Sequence, residues 1–193
     1  MTEEDWSKEL QLIESCGVTL SIGLSDEEIR NVEMTFGFRF PPDLRSFLSK
    51  AMPISKSGDN RFPDWRNPGS SALSDQLAWP FEGIAFDIEK NAFWWKPWGE
   101  RPASLPDAIA VAKAAVDCAP RLIPIHGHRY LPAEPLLAGN PVLSAYQTDI
   151  IYYGLDLRRY LAHEFGLMSY DEAVGRGPRR IPFWAELIDE NGG

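Results

Sequence analysis

The stretch GLSDEEIRNVEMTFGFRFPPDLRSFLSKAMP, residues 23–53, constrains this chain most, because its local signals agree on two short helices joined by an extended corner. Ser25 stands where an N-cap belongs, and Glu28 stands where a capping box needs a carboxylate to reach back. Ile29, Val32 and Phe36 recur at helical spacing, and Gly37 suits the position just past a helix end. Residues 38–41 are held extended, since a residue before proline is pushed out of the helical region. Pro42 and Asp43 suit the first turn of a second helix, where a missing N–H costs nothing and a negative charge meets the helix dipole. Leu44, Phe47 and Leu48 give that helix one apolar face.

On either side the patterning is simpler. Residues 2–16 read as a helix with Trp6, Leu10 and Ile13 on one face and Glu3, Glu4 and Asp5 in its first turn. Gly17 breaks it, and residues 18–22 form a short extended link. Residues 55–75 are the longest irregular region, where Pro63, Pro68, Gly58 and Gly69 exclude a regular element across most of it. Phe62 and Trp65 make it a loop that packs or binds rather than a bare linker.

After Trp79 and Pro80 the composition turns strand-like. Ile84, Phe86 and Ile88 alternate with Ala85, Asp87 and Glu89, and residues 92–96 (AFWWK) pair back as a second strand. In such a hairpin Trp94 and Trp95 point to opposite faces, with one partly exposed beside Trp98. Ser104 caps a helix over 104–117. A strand over 121–125 carries Pro124, which marks an edge or terminus. A loop over 132–141, strands over 142–146 and 149–153, and a helix over 155–165 follow. Short helices near 170–174 and 182–188 flank a basic turn.

Composition sets the class. The 193 residues are 44% hydrophobic, enough to build a core, and seven tryptophans are more than packing alone requires. A net charge of −9, with basic pairs only at Arg158-Arg159 and Arg179-Arg180, argues against nucleic acid and is compatible with a basic protein partner. Cys16 and Cys118 lack metal or redox spacing and read as reduced core residues of a cytoplasmic protein. No run of about 20 apolar residues offers a membrane span. The expected fold is α+β: one domain with a mixed or mainly antiparallel sheet of about five or six strands and helices mostly on one face.

The opening segment resembles the signature of the SUKH superfamily, which includes immunity proteins of bacterial polymorphic toxin systems and Smi/Knr-type regulators of fungal cell-wall assembly. Gly37, Phe38, Phe40, Pro41, Asp43, Leu44, Phe47 and Leu48 carry the likeness. Asp64-Trp65-Arg66 has a similar place after the second helix in Smi/Knr-type domains, and the runs PIHGHRYLP, GNPVLSAYQTDIIYYG and DLRRYLAHEF resemble their second half. The likeness covers residues 20–165 or so. It implies a non-enzymatic protein-binding module without cofactor, foremost an immunity protein for a cognate toxin, or else a regulatory scaffold for housekeeping partners.

Three groups of residues are candidate binding positions. Asp87 and Glu89 on one strand face, with Trp94, Trp95 and Trp98, would make an acidic, aromatic surface, and Trp65 in the long loop joins them. The turn His126-Gly127-His128-Arg129-Tyr130 forms the rest of the groove. An H-x-H pair on a strand would put both imidazoles on one face, as metal sites do, so a small metal-dependent hydrolase is the competing enzyme reading. No third ligand has motif spacing. No nucleophile elbow, phosphate loop or Cys/His pairing is present either.

Overall fold

The computed structural model describes residues 5–55 and 61–190. Helix α1 (Ser7–Ser15) leads through Gly17 into strand β1 (Thr19–Ile22). Glu3 and Glu4 lie outside the described residues. Helix α2 (Asp26–Phe36) has the capping box that its sequence requires: Ser25 Oγ accepts from Glu28 N, and a Glu28 carboxylate oxygen accepts from Ser25 N at 2.7 Å. Gly37 closes the helix at φ 69°, in the left-handed region that side chains avoid. Helix α3 (Pro42–Lys50) starts on its proline and runs directly into strand β2 (Ala51–Ile54), which pairs antiparallel with β1. This small sheet closes the two-helix unit into a knot of its own.

Asp64-Trp65-Arg66 locks that unit. Arg66 donates to Glu28 Oε1 at 2.9 Å, Ser21 Oγ at 3.0 Å, the Ile22 carbonyl at 2.7 Å and the Gly23 carbonyl at 2.9 Å. Trp65 is buried, edge-on to Phe38 and Phe40. The expected binding role for Trp65 therefore gives way to a core role, because Phe38 and Phe40 of the corner close over its indole.

The largest departure lies in residues 71–98. They form a single helix, α4 (Ser71–Lys90), capped by Ser70 Oγ, and then a 3₁₀ turn at Lys96–Trp98; there is no hairpin. Ile84 and Ile88 satisfy a period of two and a period of four equally, which is why the alternation misleads. In the helix both are buried, together with Leu73, Pro80 and Asp87, while Phe86 is left outside.

Helix α5 (Leu105–Cys118), capped by Ser104, precedes an antiparallel meander of four strands in the order β3 (Leu122–His126), β4 (Arg129–Pro132), β5 (Val142–Tyr146), β6 (Asp149–Gly154). Strand β3 is an edge, as Pro124 requires. Helices α6 (Leu157–Glu164), α7 (Tyr170–Val174) and α8 (Trp184–Glu190) complete the described chain. The fold is α+β, with its strands divided between two antiparallel sheets rather than gathered in one. Both faces of the larger sheet are covered. Ile123, Leu131 and Val142 join a core with α1, α2, α3 and α6 residues. Leu122, Tyr130, Leu143 and Ile150 join a second core with α4, α5 and α8 residues. Cys16 and Cys118 are free and exposed, not core, because each sits at the C-terminal end of a helix rather than on its inner stripe. Among the described residues, no helix is long and apolar enough to cross a membrane.

Candidate functional site

Helix α4 grips the turn between β5 and β6, and three features of its sequence explain how. Gly83 meets the turn backbone: a Cβ there would stand 2.7 Å from the Gln147 Cα. Asp87 is buried, and its Oδ2 accepts from Thr148 N at 2.8 Å and Thr148 Oγ1 at 2.6 Å. Gln147 itself sits at φ 57°, a conformation that a non-glycine residue keeps only when its surroundings fix it. Pro80 is the third feature. Lacking an N–H, it cannot bond the Gln76 carbonyl one turn back. Tyr130 Oη donates to that carbonyl instead, at 3.0 Å, so the sheet repairs the bond that the helix gives up. Burial, helped by the charge of Glu82, pushes the Tyr130 phenol far above its ordinary pKa, which keeps it a donor.

These contacts bring Tyr146, on the last residue of β5, beside Trp79 on α4, with ring centroids 6.3 Å apart. His128 stands edge-on to Tyr146 at 5.8 Å. The three rings and Asp75 surround a surface pocket of about 340 Å³ floored by Tyr130. Trp79 and Tyr146 remain 44% and 52% exposed.

The β3–β4 turn splits the two histidines between different surroundings. His126 packs against Phe62 at a tilt of 31°, centroids 4.4 Å apart, and its Nδ1 lies 3.4 Å from Glu164 Oε1. Arg129 closes that side: its guanidinium lies 3.7 Å over the Tyr153 ring, donates to Ser144 Oγ at 2.9 Å and approaches Glu164 at 3.7 Å. Burial alone would raise the Glu164 pKa, but the His126 hydrogen bond and the neighbouring positive groups outweigh it and leave the carboxyl below its usual range. His128, on the pocket side, has its pKa lowered, first by burial and then by the charge of Arg129. The imidazoles do not share a face, because residues 127 and 128 form the turn itself. Among the described residues, no group of three or more His, Cys, Asp or Glu side chains is placed to hold a metal. A second surface pocket beside His126 includes Cys16, but the Cys16 thiol is directed at the Phe165 carbonyl, 3.6 Å away, rather than at the imidazole.

The expected acidic, aromatic strand face does not form. Asp87 is buried under the β5–β6 turn, whereas Glu89, two residues on along a helix and so on another side, is exposed and pairs with Lys90. Trp94, Trp95 and Trp98 pack on each other and on the second core. Trp95 is buried against Phe183, Trp94 donates its indole N–H to the Gly99 carbonyl at 2.8 Å, and Trp98 stands edge-on to both. The one-buried, one-partly-exposed division of Trp94 and Trp95 holds, without the hairpin. Of the ten expected positions, His126 and Arg129 meet around Glu164, while His128 and Tyr130 meet around the Trp79 pocket. The sequence pattern does not single out Trp79, Tyr146 or Asp75 as site residues. Asp75 and Trp79 are four apart on one helix face, a signal hidden where a loop over 55–75 and a strand beginning after Pro80 divide the helix.

No family model matches the chain, and no curated protein or solved structure is similar to it at a significant level. Chemically, the pocket offers aromatic rings, the Asp75 carboxylate, the Gln76 amide and the His128 imidazole.

Proposed function

We propose that this chain is a protein-binding module whose partner is basic, of the kind the SUKH resemblance implies: an immunity protein that occludes a cognate toxin. The observation that carries this reading is the pair of half-exposed rings, Trp79 and Tyr146, held in place by α4 and the β5–β6 turn around an acid-edged pocket. Tryptophan and tyrosine on a rigid support are the residue types that anchor interfaces. A net charge of −9 favours encounter with a positively charged domain, such as a toxin that itself handles phosphate. The Smi/Knr-like opening unit, in this reading, is scaffold, since its signature residues are consumed by the first core.

The test is a tagged pull-down from the native cell, with the wild-type chain and a Trp79→Ala, Tyr146→Ala double variant side by side, followed by mass spectrometry. A basic protein present in near-stoichiometric amount with the wild type and depleted at least tenfold with the variant supports the reading. A stoichiometric partner retained equally by both sinks the pocket as its anchor, and capture of acidic or housekeeping scaffolds alone sinks the toxin assignment.

A further inference from the structure

We infer that the Trp79–Tyr146–His128 pocket is a cage for an alkylammonium group, and that its occupant is a lysine side chain of the partner protein. This rests on, and narrows, the protein-binding reading above. Four observations lead there. First, the walls are π faces at an angle, not a flat apolar patch: the Trp79 and Tyr146 planes meet at 52°, and those of Tyr146 and His128 at 72°. Trp79 and Tyr146 are tilted towards each other and His128 meets Tyr146 edge to face, so the three rings border one shared volume, where a cation within about 6 Å of a ring face is held by that face.

Second, the only charged side chain on the lining is negative. Asp75 stands one helical turn before Trp79, and neither lysine nor arginine lines the pocket among the described residues. The charge of Glu82, one turn beyond Trp79, also reaches the Tyr130 floor. Third, His128 enters as a neutral ring, because burial and the adjacent Arg129 charge disfavour its protonated form. Fourth, about 340 Å³ accommodates an ammonium with several methylenes of its stem, and the open mouth lets the stem remain attached to a larger body. A neutral apolar side chain would fill the same space while leaving Asp75 without a counter-charge.

The rigidity of the cage matters as much as its chemistry. Tyr146 is fixed by the Gly83 and Asp87 contacts to the turn that follows it, and Trp79 rides on a helix whose broken bond is closed by Tyr130. Ordering these rings therefore costs little on binding.

The experiment is a titration of the full chain, without any partner, followed by the indole N–H resonances in ¹H–¹⁵N spectra. The probes are N-acetyl-lysine methylamide, its Nε-trimethyl derivative, the neutral N-acetyl-norleucine methylamide, and choline. Expected is a shift of the Trp79 indole signal and of the Tyr146 backbone amide by both lysine derivatives, with affinity about tenfold above norleucine; in Trp79→Leu, which keeps an apolar side chain without the π face, affinity read from the Tyr146 amide should fall about tenfold. Asp75→Asn should weaken the lysine probe several-fold, a difference that fades at high salt. Equal binding of norleucine, or no shift with any probe, overturns the cage. Choline binding tenfold tighter than either lysine derivative overturns the lysine assignment in favour of a free quaternary ammonium ligand. Because the probes are small molecules, a negative titration removes the cage without touching a partner captured in the pull-down. Equally, a missing partner leaves the titration to decide the cage by itself.

Discussion

Two groups of aromatic side chains stand on the same side of this molecule's sequence and end in opposite conditions. Trp94, Trp95 and Trp98 close on one another edge to face, at 5.2 and 5.7 Å through Trp98, and Phe183 seals the group against the second core. Trp79, Tyr146 and His128 are held at similar spacings but around open volume, and Trp79 and Tyr146 stay about half exposed. The first group spends its quadrupoles on itself; the second leaves them available. Density of tryptophan along a chain thus says little about function, whereas rings prevented from collapsing onto each other say a good deal.

The largest effect that would sharpen this contrast is on the closed group. Trp95→Ala should destabilise the chain by about 3–5 kcal/mol in chemical denaturation, while the folded fraction binds cations unchanged. A loss below about 1 kcal/mol would mean that the cluster is not packed as described. Next come the supports of the open group. Asp87→Ala strands the Thr148 donors and Gly83→Ala drives a methyl into Gln147, each costing about 1–3 kcal/mol. Both should also displace Tyr146, so that stability and probe affinity fall together. No larger in stability, and decisive for the contrast, is Trp79→Ala: about 1–2 kcal/mol, with probe affinity reduced about tenfold. A variant of the open group that unfolds the chain would erase the distinction.

The smallest effect concerns pH. His128 is held below its ordinary value of 6.5 by burial and by Arg129 and His126, against the opposing pull of Glu164. The unfolded chain therefore takes up the proton first. The contribution of neutral His128 to stability is complete above about 6.5 and is lost as the pH falls below it. His128→Gln should flatten that part of the pH–stability curve, and an unchanged slope would remove the pocket histidine from account.

Legibility in the sequence followed the range of the forces involved. The capping box at Ser25 and Glu28, the proline start of α3, the Ser104 cap and the β5–β6 hairpin are decided within a few residues, and each stands in the structure as the local chemistry requires. Helix α4 was not legible, because Pro80 reads as a terminator unless a donor from elsewhere meets the Gln76 carbonyl, and that donor lies fifty positions along the chain. The pocket inherited the same obscurity. His128 and Tyr130 were named from their turn, but Trp79 and Asp75 could join them only once the helix ran through the proline. Trp65, Asp87 and Trp95 are candidate binding positions by sequence, because an aromatic loop and an alternating strand face can both serve an interface. Each is instead claimed by a contact distant in sequence: the phenylalanine corner, the Thr148 turn, Phe183.

The substitution of a sheet tyrosine for a helix amide also ties two positions together in heredity. A lineage that lost the Tyr130 hydroxyl while keeping Pro80 would leave the Gln76 carbonyl without the donor it now has, whereas one that first replaced Pro80 by an ordinary residue would regain a helical N–H and release the tyrosine to drift to phenylalanine. The order of the two changes is therefore asymmetric. Among descendants of this chain, phenylalanine at 130 should be found where proline at 80 has already gone.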